Sequence, residues 1–336
     1  MPAPHARLAG VAVHLPETLR TAAGTESLVA AASTGFRPPP GLVTRLTGVR
    51  QTHVMPDDWQ ASDVAAAAAR KLFADTGTDP GDIDLLLFAA ASQDMIEPAT
   101  SHMTADRLGL RCPAFDVKNA CNSVLNALET AHALIAQGRY RRILIACGES
   151  PSRAVRWSVP DLRTYLTSIP GYTLSDAGAA LLVEASSEPG IIGSGFAADS
   201  ASWSVGTLPC GGSAHPRGEE HTYFRLDGVG LRRAFERLGS QVLDDTLERL
   251  GLGWHDMAAI CVHQVSEPYL VQLADRFGLP LDKVPVTITE HGNAASASLP
   301  LQLLRARESG RAAPGDLVAL VGLAGGISMG MSVIRL

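Results

Sequence analysis

No apolar run in the 336 residues approaches the roughly 20 that a membrane-spanning helix needs; the longest are broken by Gly, Asp or Ser. The opening residues, MPAPHARLAG, hold no apolar core of signal-peptide length. No cluster of Lys or Arg stands out against a formal net charge of -6, which argues against nucleic acid or an anionic membrane as a partner. Cysteine is sparse: Cys112, Cys121, Cys147, Cys210 and Cys261 are scattered singly. No two stand at metal-ligand spacing, and an odd count does not make a disulfide framework. These absences predict no metal site, no membrane association and a reducing cytoplasm. Charged residues make up only 18% of the chain against 46% hydrophobic, so a sizeable core is available and disorder is excluded.

What is present reads as an α/β chain. The runs DIDLLLFAAAS (82–92), RRILIACGES (141–150) and GAALLVE (178–184) are continuously apolar, as strands covered on both faces are. Helical patterns precede the first two: ASDVAAAAARKLFADTG from Ala61 and SVLNALETAHALIAQGRY from Ser123, each stopping near a Gly. The second half repeats the order. A helical stretch from Leu231 leads into MAAICVHQVS (257–266), then a short strand VPVTITEHGN (284–293), a helix from Ala295, and DLVALVGLAGG (316–326). AFDVKNAC in one half falls where VTITEHGN falls in the other, so Cys121 and Asn293 take equivalent places. The reading is two pseudo-duplicated βαβαβ halves, residues 1–185 and 186–336. Two insertions without core elements, about 151–175 and about 201–227, are expected to act as lids or pocket walls.

Three polar residues sit at strand ends, where α/β sheets place their chemistry. Cys121 follows a strand and opens a helix, so the helix dipole and free N–H groups should stabilise its thiolate and lower its pKa. The plain alternative is a buried structural cysteine. His263 ends an apolar strand and could equally be a structural histidine. Asn293 stands at a turn before a helix, where Asn is also a good N-cap.

The motifs resemble the β-ketoacyl synthase III branch of the thiolase superfamily along almost the whole chain. The segments are TGVRQTHV, CPAFDVKNAC, LSDAGAALLVE, HQVSEPYLVQLADRFGLPLDKV, HGNAASASLP and GLAGGISMGM, in that order. The resemblance implies the thiolase fold, a five-layered α-β-α-β-α core. It implies Cys121 as the nucleophile of a Cys-His-Asn triad with His263 and Asn293, and an oxyanion hole from the backbone N–H groups of Cys121 and Gly325. The implied reaction is acyl transfer to Cys121 followed by decarboxylative Claisen condensation, in polyketide or other specialised metabolism. Simple acyl transfer to a carrier protein, hydroxyl or amine is the second option. Substrates would be acyl-CoA or acyl carrier protein thioesters, with no permanently bound cofactor, and the protein would be a homodimer.

Some positions depart from the pattern. Leu42 and Leu46 stand where the housekeeping fatty-acid enzymes carry a Trp and an Arg against the coenzyme A adenine, with Arg45 adjacent. Glu97 falls where those enzymes place an apolar gate at the partner's acyl pocket. It is read either as a base or gate at the dimer interface or as a surface carboxylate at a helix N-terminus. His291 replaces a common aromatic residue. A closing-loop cysteine, as in degradative thiolases, is absent.

Overall fold

The computed structural model of the protein describes residues 4–336. One sheet has five strands in the order His5–His14, Ala177–Ser186, Arg142–Glu149, Leu85–Ala89, Ala114–Val117. The second has four, in the order Ile191–Ala198, Ser328–Arg335, Leu317–Ala324, Met257–Val262. Leu85–Ala89 runs parallel to Arg142–Glu149, which is antiparallel to Ala177–Ser186. Met257–Val262 stands in the same relation to Leu317–Ala324, and that strand to Ser328–Arg335. The two halves therefore share one plan.

Helices Ser123–Ala136 and Ser298–Glu308 lie between the sheets, and Ala61–Thr76 with Thr100–Leu108 cover the outer face of the first. Gly228–Leu238, Gln241–Leu250 and Glu267–Phe277 cover the outer face of the second. The side-chain alternation of strands assigns the layers. Ala259, Cys261, Val318 and Leu320 join the central core, whereas Ile260, Val262, Ala319 and Val321 join the outer one. The result is the five-layered arrangement of the thiolase fold. The long helical stretch from Leu231 is broken in two at Gly239, whose φ of 68° is left-handed.

Ala61–Thr76 is built from strong helix formers, with the Gln60 N–H bound to Asp63 at 2.8 Å at its start and Gly77 in the left-handed region at its end. It lies close on the sheet because Gly148 and Gly178 leave room: a Cβ on either would overlap a backbone carbonyl of this helix, that of Ala61 or Val64. Backbone cannot swing aside as a side chain can. Gly148→Ala should cost about 2–3 kcal/mol, the scale of overpacking in a dense core, read as a lower urea midpoint at unchanged slope.

Two expectations change. VPVTITEHGN is not a strand: Val284 is extended but Val284–Thr287 pairs with no strand, Thr287 has already turned to the helical region, and Ile288–His291 forms a single helical turn. Pro285 has no N–H to give to a ladder. The amide of Gln264 takes the ladder's place, donating to the Pro285 carbonyl at 2.9 Å and accepting from Thr287 and Ile288 N–H at 3.0 and 3.1 Å. Gln302 closes the edge of Met257–Val262 in the same way, pairing with the N–H and carbonyl of Val262 at 3.0 and 2.9 Å. The stretch 151–175 is also no coreless insertion. Its helix Leu162–Tyr172 buries Tyr165, Ile169 and Tyr172 against Val29 and Val43 from the N-terminal segment, forming a separate small core. The stretch 201–227 carries only 3-10 turns and two two-residue strands, Gly206–Thr207 and Arg225–Leu226.

Candidate active site

Cys121 lies in the turn between Ala114–Val117 and Ser123–Ala136, two residues before the helix begins. Ala120 before it has φ of 44°, a left-handed conformation that costs a residue with a side chain on the order of 1 kcal/mol. The turn is held by reciprocal bonds: Asn119 N–H donates to Ser123 Oγ at 2.9 Å, and Ser123 Oγ–H donates to the Ala120 carbonyl at 2.7 Å. Cys121 is partly exposed, whereas Cys147 and Cys261 are buried in strands; Cys112 and Cys210 lie in loops.

The expected thiolate is not what this environment favours. Dense surroundings push the Cys121 thiol up to about 12, and the neighbouring Glu149 carboxylate pushes the same way. The residue's own backbone N–H pulls down, but weakly. The helix starts at Ser123, so Cys121 stands outside the first turn, where the dipole is strongest. At neutral pH the resting side chain is a thiol.

His263 directly follows the strand Met257–Val262, with its N–H on the Val321 carbonyl at 2.9 Å. It is 4% exposed, and its Nδ1 is buried without a hydrogen-bond partner among the described residues. An orphaned buried nitrogen costs about 1–3 kcal/mol. Burial lowers its pKa to about 4, so the ring is neutral at physiological pH. With no protein group claiming Nδ1, either tautomer is open to a substrate.

Asn293 is pinned by its backbone: its N–H donates to Thr173 O at 2.7 Å and its carbonyl accepts from Ser175 N–H at 3.0 Å. Its Oδ1 accepts from Ala295 N–H at 3.0 Å, which fixes the amide and leaves Nδ2 as an uncommitted donor among the described residues. Ala295, like Ala120, is left-handed, with φ of 46°. Ser296 Oγ then donates to the Ala120 carbonyl at 2.7 Å, binding the asparagine turn directly to the cysteine turn. The neighbour strand of His263 reaches the same place: a Cβ on Gly322 would overlap the Asn122 side chain. Asn122 in turn donates through Nδ2 to Ser328 Oγ at 2.9 Å. The segments carrying Cys121, His263 and Asn293 thus meet around one turn. Gly325 opens the Gly325–Ile327 turn that joins the last two strands, facing Gly206 of the 201–227 stretch.

Glu97 is not part of this assembly. It lies on an exposed loop beside Met95 and Ile96, and Ile96 faces Gly211. His291 pairs with His53: His53 Nδ1 donates to the Pro16 carbonyl at 2.7 Å, so its Nε2 accepts from His291 Nδ1 at 3.0 Å. Burial lowers His291 to about 4. The residue missed in the sequence is Glu149, wholly buried at the end of its strand. A carboxylate closing the run RILIACGE is a legible signal, because a charge is seldom placed there without partners.

The low pKa of His263 predicts a stability change. Between about pH 6.5 and 4 the unfolded chain protonates this imidazole and the folded chain does not, so its contribution destabilises the fold as pH falls through that window. Urea unfolding of the wild type and His263→Gln at pH 7 and 4.5 should show a smaller acid-induced loss in the variant.

Comparison with known proteins shows the family. Residues 115–200 match the model of 3-oxoacyl-(acyl-carrier-protein) synthase III, and residues 247–336 match that of its C-terminal part. The β-ketoacyl-(acyl-carrier-protein) synthase III of Neisseria gonorrhoeae (strain NCCP11945) is 32% identical over 295 residues, covering 87% of this chain and 89% of that protein. The chain belongs to the β-ketoacyl-(acyl-carrier-protein) synthase III family. The synthase III of Methylococcus capsulatus is 30% identical over 332 residues, 98% and 99% of the two chains. A structure of Xanthomonas campestris OleA with bound lauric acid and lauroyl-CoA matches at a TM-score of 0.88 and 24% identity, over 99% of this chain and all of that one; at this identity it shows the shared fold alone. As a synthase III family member the protein is a condensing enzyme of the ketosynthase type. Among the described residues no helix is long and apolar enough to cross a membrane.

Proposed function

We propose that this synthase III-type enzyme takes an acyl group from a coenzyme A or carrier-protein thioester onto Cys121 and condenses it with a malonyl-type thioester. The observation that carries this reading is the fixed amide of Asn293, whose Oδ1 is occupied and whose Nδ2 is free to donate. His263 is a neutral imidazole whose buried Nδ1 has no partner among the described residues, which leaves the proton free to reside on Nε2 as the donor. Two neutral donors suit a thioester carbonyl becoming an enolate, and a fixed pair needs little reorganisation as the charge develops.

In the first step the Cys121 sulfur attacks the donor carbonyl, the C–S bond to the donor breaks, and the thiol proton leaves with the departing thiol. The tetrahedral oxyanion is held by the N–H groups of Cys121 and Gly325. In the second, the extender loses carbon dioxide, and the electron pair left on its α-carbon is stabilised through the carbonyl by His263 and Asn293. That carbon attacks the acyl-enzyme, the bond to Cys121 Sγ breaks, a β-ketoacyl thioester leaves, and the released thiolate takes a proton from solvent to restore the resting thiol. No resident cofactor is needed for either step.

Leu42 and Leu46 in place of an aromatic and a cation, together with Glu97 on the exposed loop, support a role in specialised rather than bulk acyl metabolism. Glu97 acts in this reading as a gate or base toward a second copy. A homodimer is supported by the open outer edge of Ala114–Val117, with Phe115 exposed on it and Met95 and Ile96 exposed on the loop that carries Glu97. Release of labelled carbon dioxide from malonyl thioester, dependent on prior acylation, is the deciding measurement. Consumption of the acyl-enzyme without that release would establish simple acyl transfer instead.

A further inference from the structure

Four donors converge on the carboxyl group of Glu149. Ala91 N–H and Ser296 N–H reach Oε1 at 2.9 and 3.1 Å; Ser92 N–H and Oγ–H reach Oε2 at 3.1 and 2.9 Å. Three of them are backbone groups that cannot reverse polarity. They come from two separate places: the end of Leu85–Ala89 in the first half, and the turn after Asn293 in the second. Ser296 is the link, because its N–H binds Glu149 while its hydroxyl binds the Ala120 carbonyl next to Cys121. A wholly buried carboxyl group is a costly way to join two loops, and an apolar contact would serve a purely structural purpose as well.

We propose that Glu149 is a positioning residue for the condensation step: its carboxyl group holds the Asn293 turn in register with the Cys121 turn. This rests on the reading of Cys121 and Asn293 given above. Of these two turns, loading uses only that of Cys121, with the Gly325 N–H, whereas condensation needs both in place, so the two half-reactions depend on Glu149 unequally. The negative charge adds a second signature. Burial raises the pKa of Glu149 itself; once ionised, its charge raises the Cys121 thiol, and Cys147 and Lys118 are the other titratable groups that register it.

Glu149→Gln keeps the shape but offers a single acceptor oxygen. Turned toward Ala91 and Ser296, it leaves the Ser92 N–H facing an NH₂ group; turned the other way, it releases Ser296. Glu149→Asp keeps the charge but is a methylene too short to hold both loops. The test reads three quantities on the intact protein: iodoacetamide alkylation of Cys121 against pH, acyl loading from acetyl-CoA and lauroyl-CoA by mass, and carbon dioxide release from malonyl thioester.

In Glu149→Gln the alkylation midpoint should move to lower pH, loading should persist, and condensation should fall about 10²-fold, as for a small displacement of a reacting group. In Glu149→Asp the midpoint should stay and condensation should fall alike. Loading and condensation falling in equal proportion, or an unmoved midpoint in a folded Glu149→Gln, would overturn the proposal. Should the Gln variant not fold, the split between half-reactions in the Asp variant decides. Alkylation needs no acyl donor, so a wild type that takes no acyl label, together with a midpoint shift in Glu149→Gln, would refute the acylation reading and leave the coupling of Glu149 to Cys121 standing.

Discussion

Cys121→Ala should abolish the mass gain that the wild type shows on incubation with its preferred acyl thioester, while unfolding at the wild-type urea midpoint. Turnover should fall on the order of 10⁴-fold or more, the scale seen when a covalent nucleophile is deleted. The variant should fold because the Cys121 side chain makes no hydrogen bond that holds the turn; Asn119, Ser123 and Ser296 do that work. The other four cysteines serve as internal controls. Cys147 and Cys261 are buried within strands and should stay unlabelled. Label persisting in Cys121→Ala would move the nucleophile elsewhere, with exposed Cys210 the first place to look.

Asn293→Ala should separate the half-reactions. Acyl label should still accumulate on Cys121, since the turn that carries it is intact, and carbon dioxide release should drop by about 10²–10³-fold, the effect of removing one donor from a developing oxyanion. Asn293→Asp tests the polarity of that donor. A carboxylate places acceptors where Nδ2 donates, and it meets the Ala295 N–H equally well. It should therefore preserve the turn and abolish condensation as fully as Ala does. A variant that condenses normally with Asp at 293 would show that no donor is needed there.

The sequence made the frame legible through the strands that are buried on both faces. Leu85–Ala89 and Arg142–Glu149 read as unbroken apolar runs because helices cover both sides. Cys121, His263 and Asn293 stood out as candidates at strand ends and turns, but only the resemblance of the surrounding motifs gave them their roles as a triad. The missing pieces all depend on tertiary partners. Val284–Thr287 has a strand's composition, and only the placement of Gln264 shows why it does not pair. The small core around Tyr165 draws on residues more than a hundred positions away, beyond any window of periodicity. The sign of the Cys121 shift was misjudged because a helix start was visible in the sequence, whereas the dense surroundings of the thiol and the Glu149 carboxylate were not.

The Gln302 amide that closes the edge of Met257–Val262 at Val262 has a consequence for assembly. On this side each sheet ends in an outermost strand, Met257–Val262 or Ala114–Val117, where another strand could be recruited. In the second half Gln302 saturates the polar groups of Val262, and that position is spent within the chain. In the first half the counterpart strand, Leu85–Ala89, is followed outward by one more, Ala114–Val117, whose outer side pairs with no strand among the described residues. A molecule with two such docking rims could string copies into a fibre, each handing a fresh rim to the next. With one of the pair blunted, a copy that joins across the other uses up both partners' rims at once, and growth by that route stops at two.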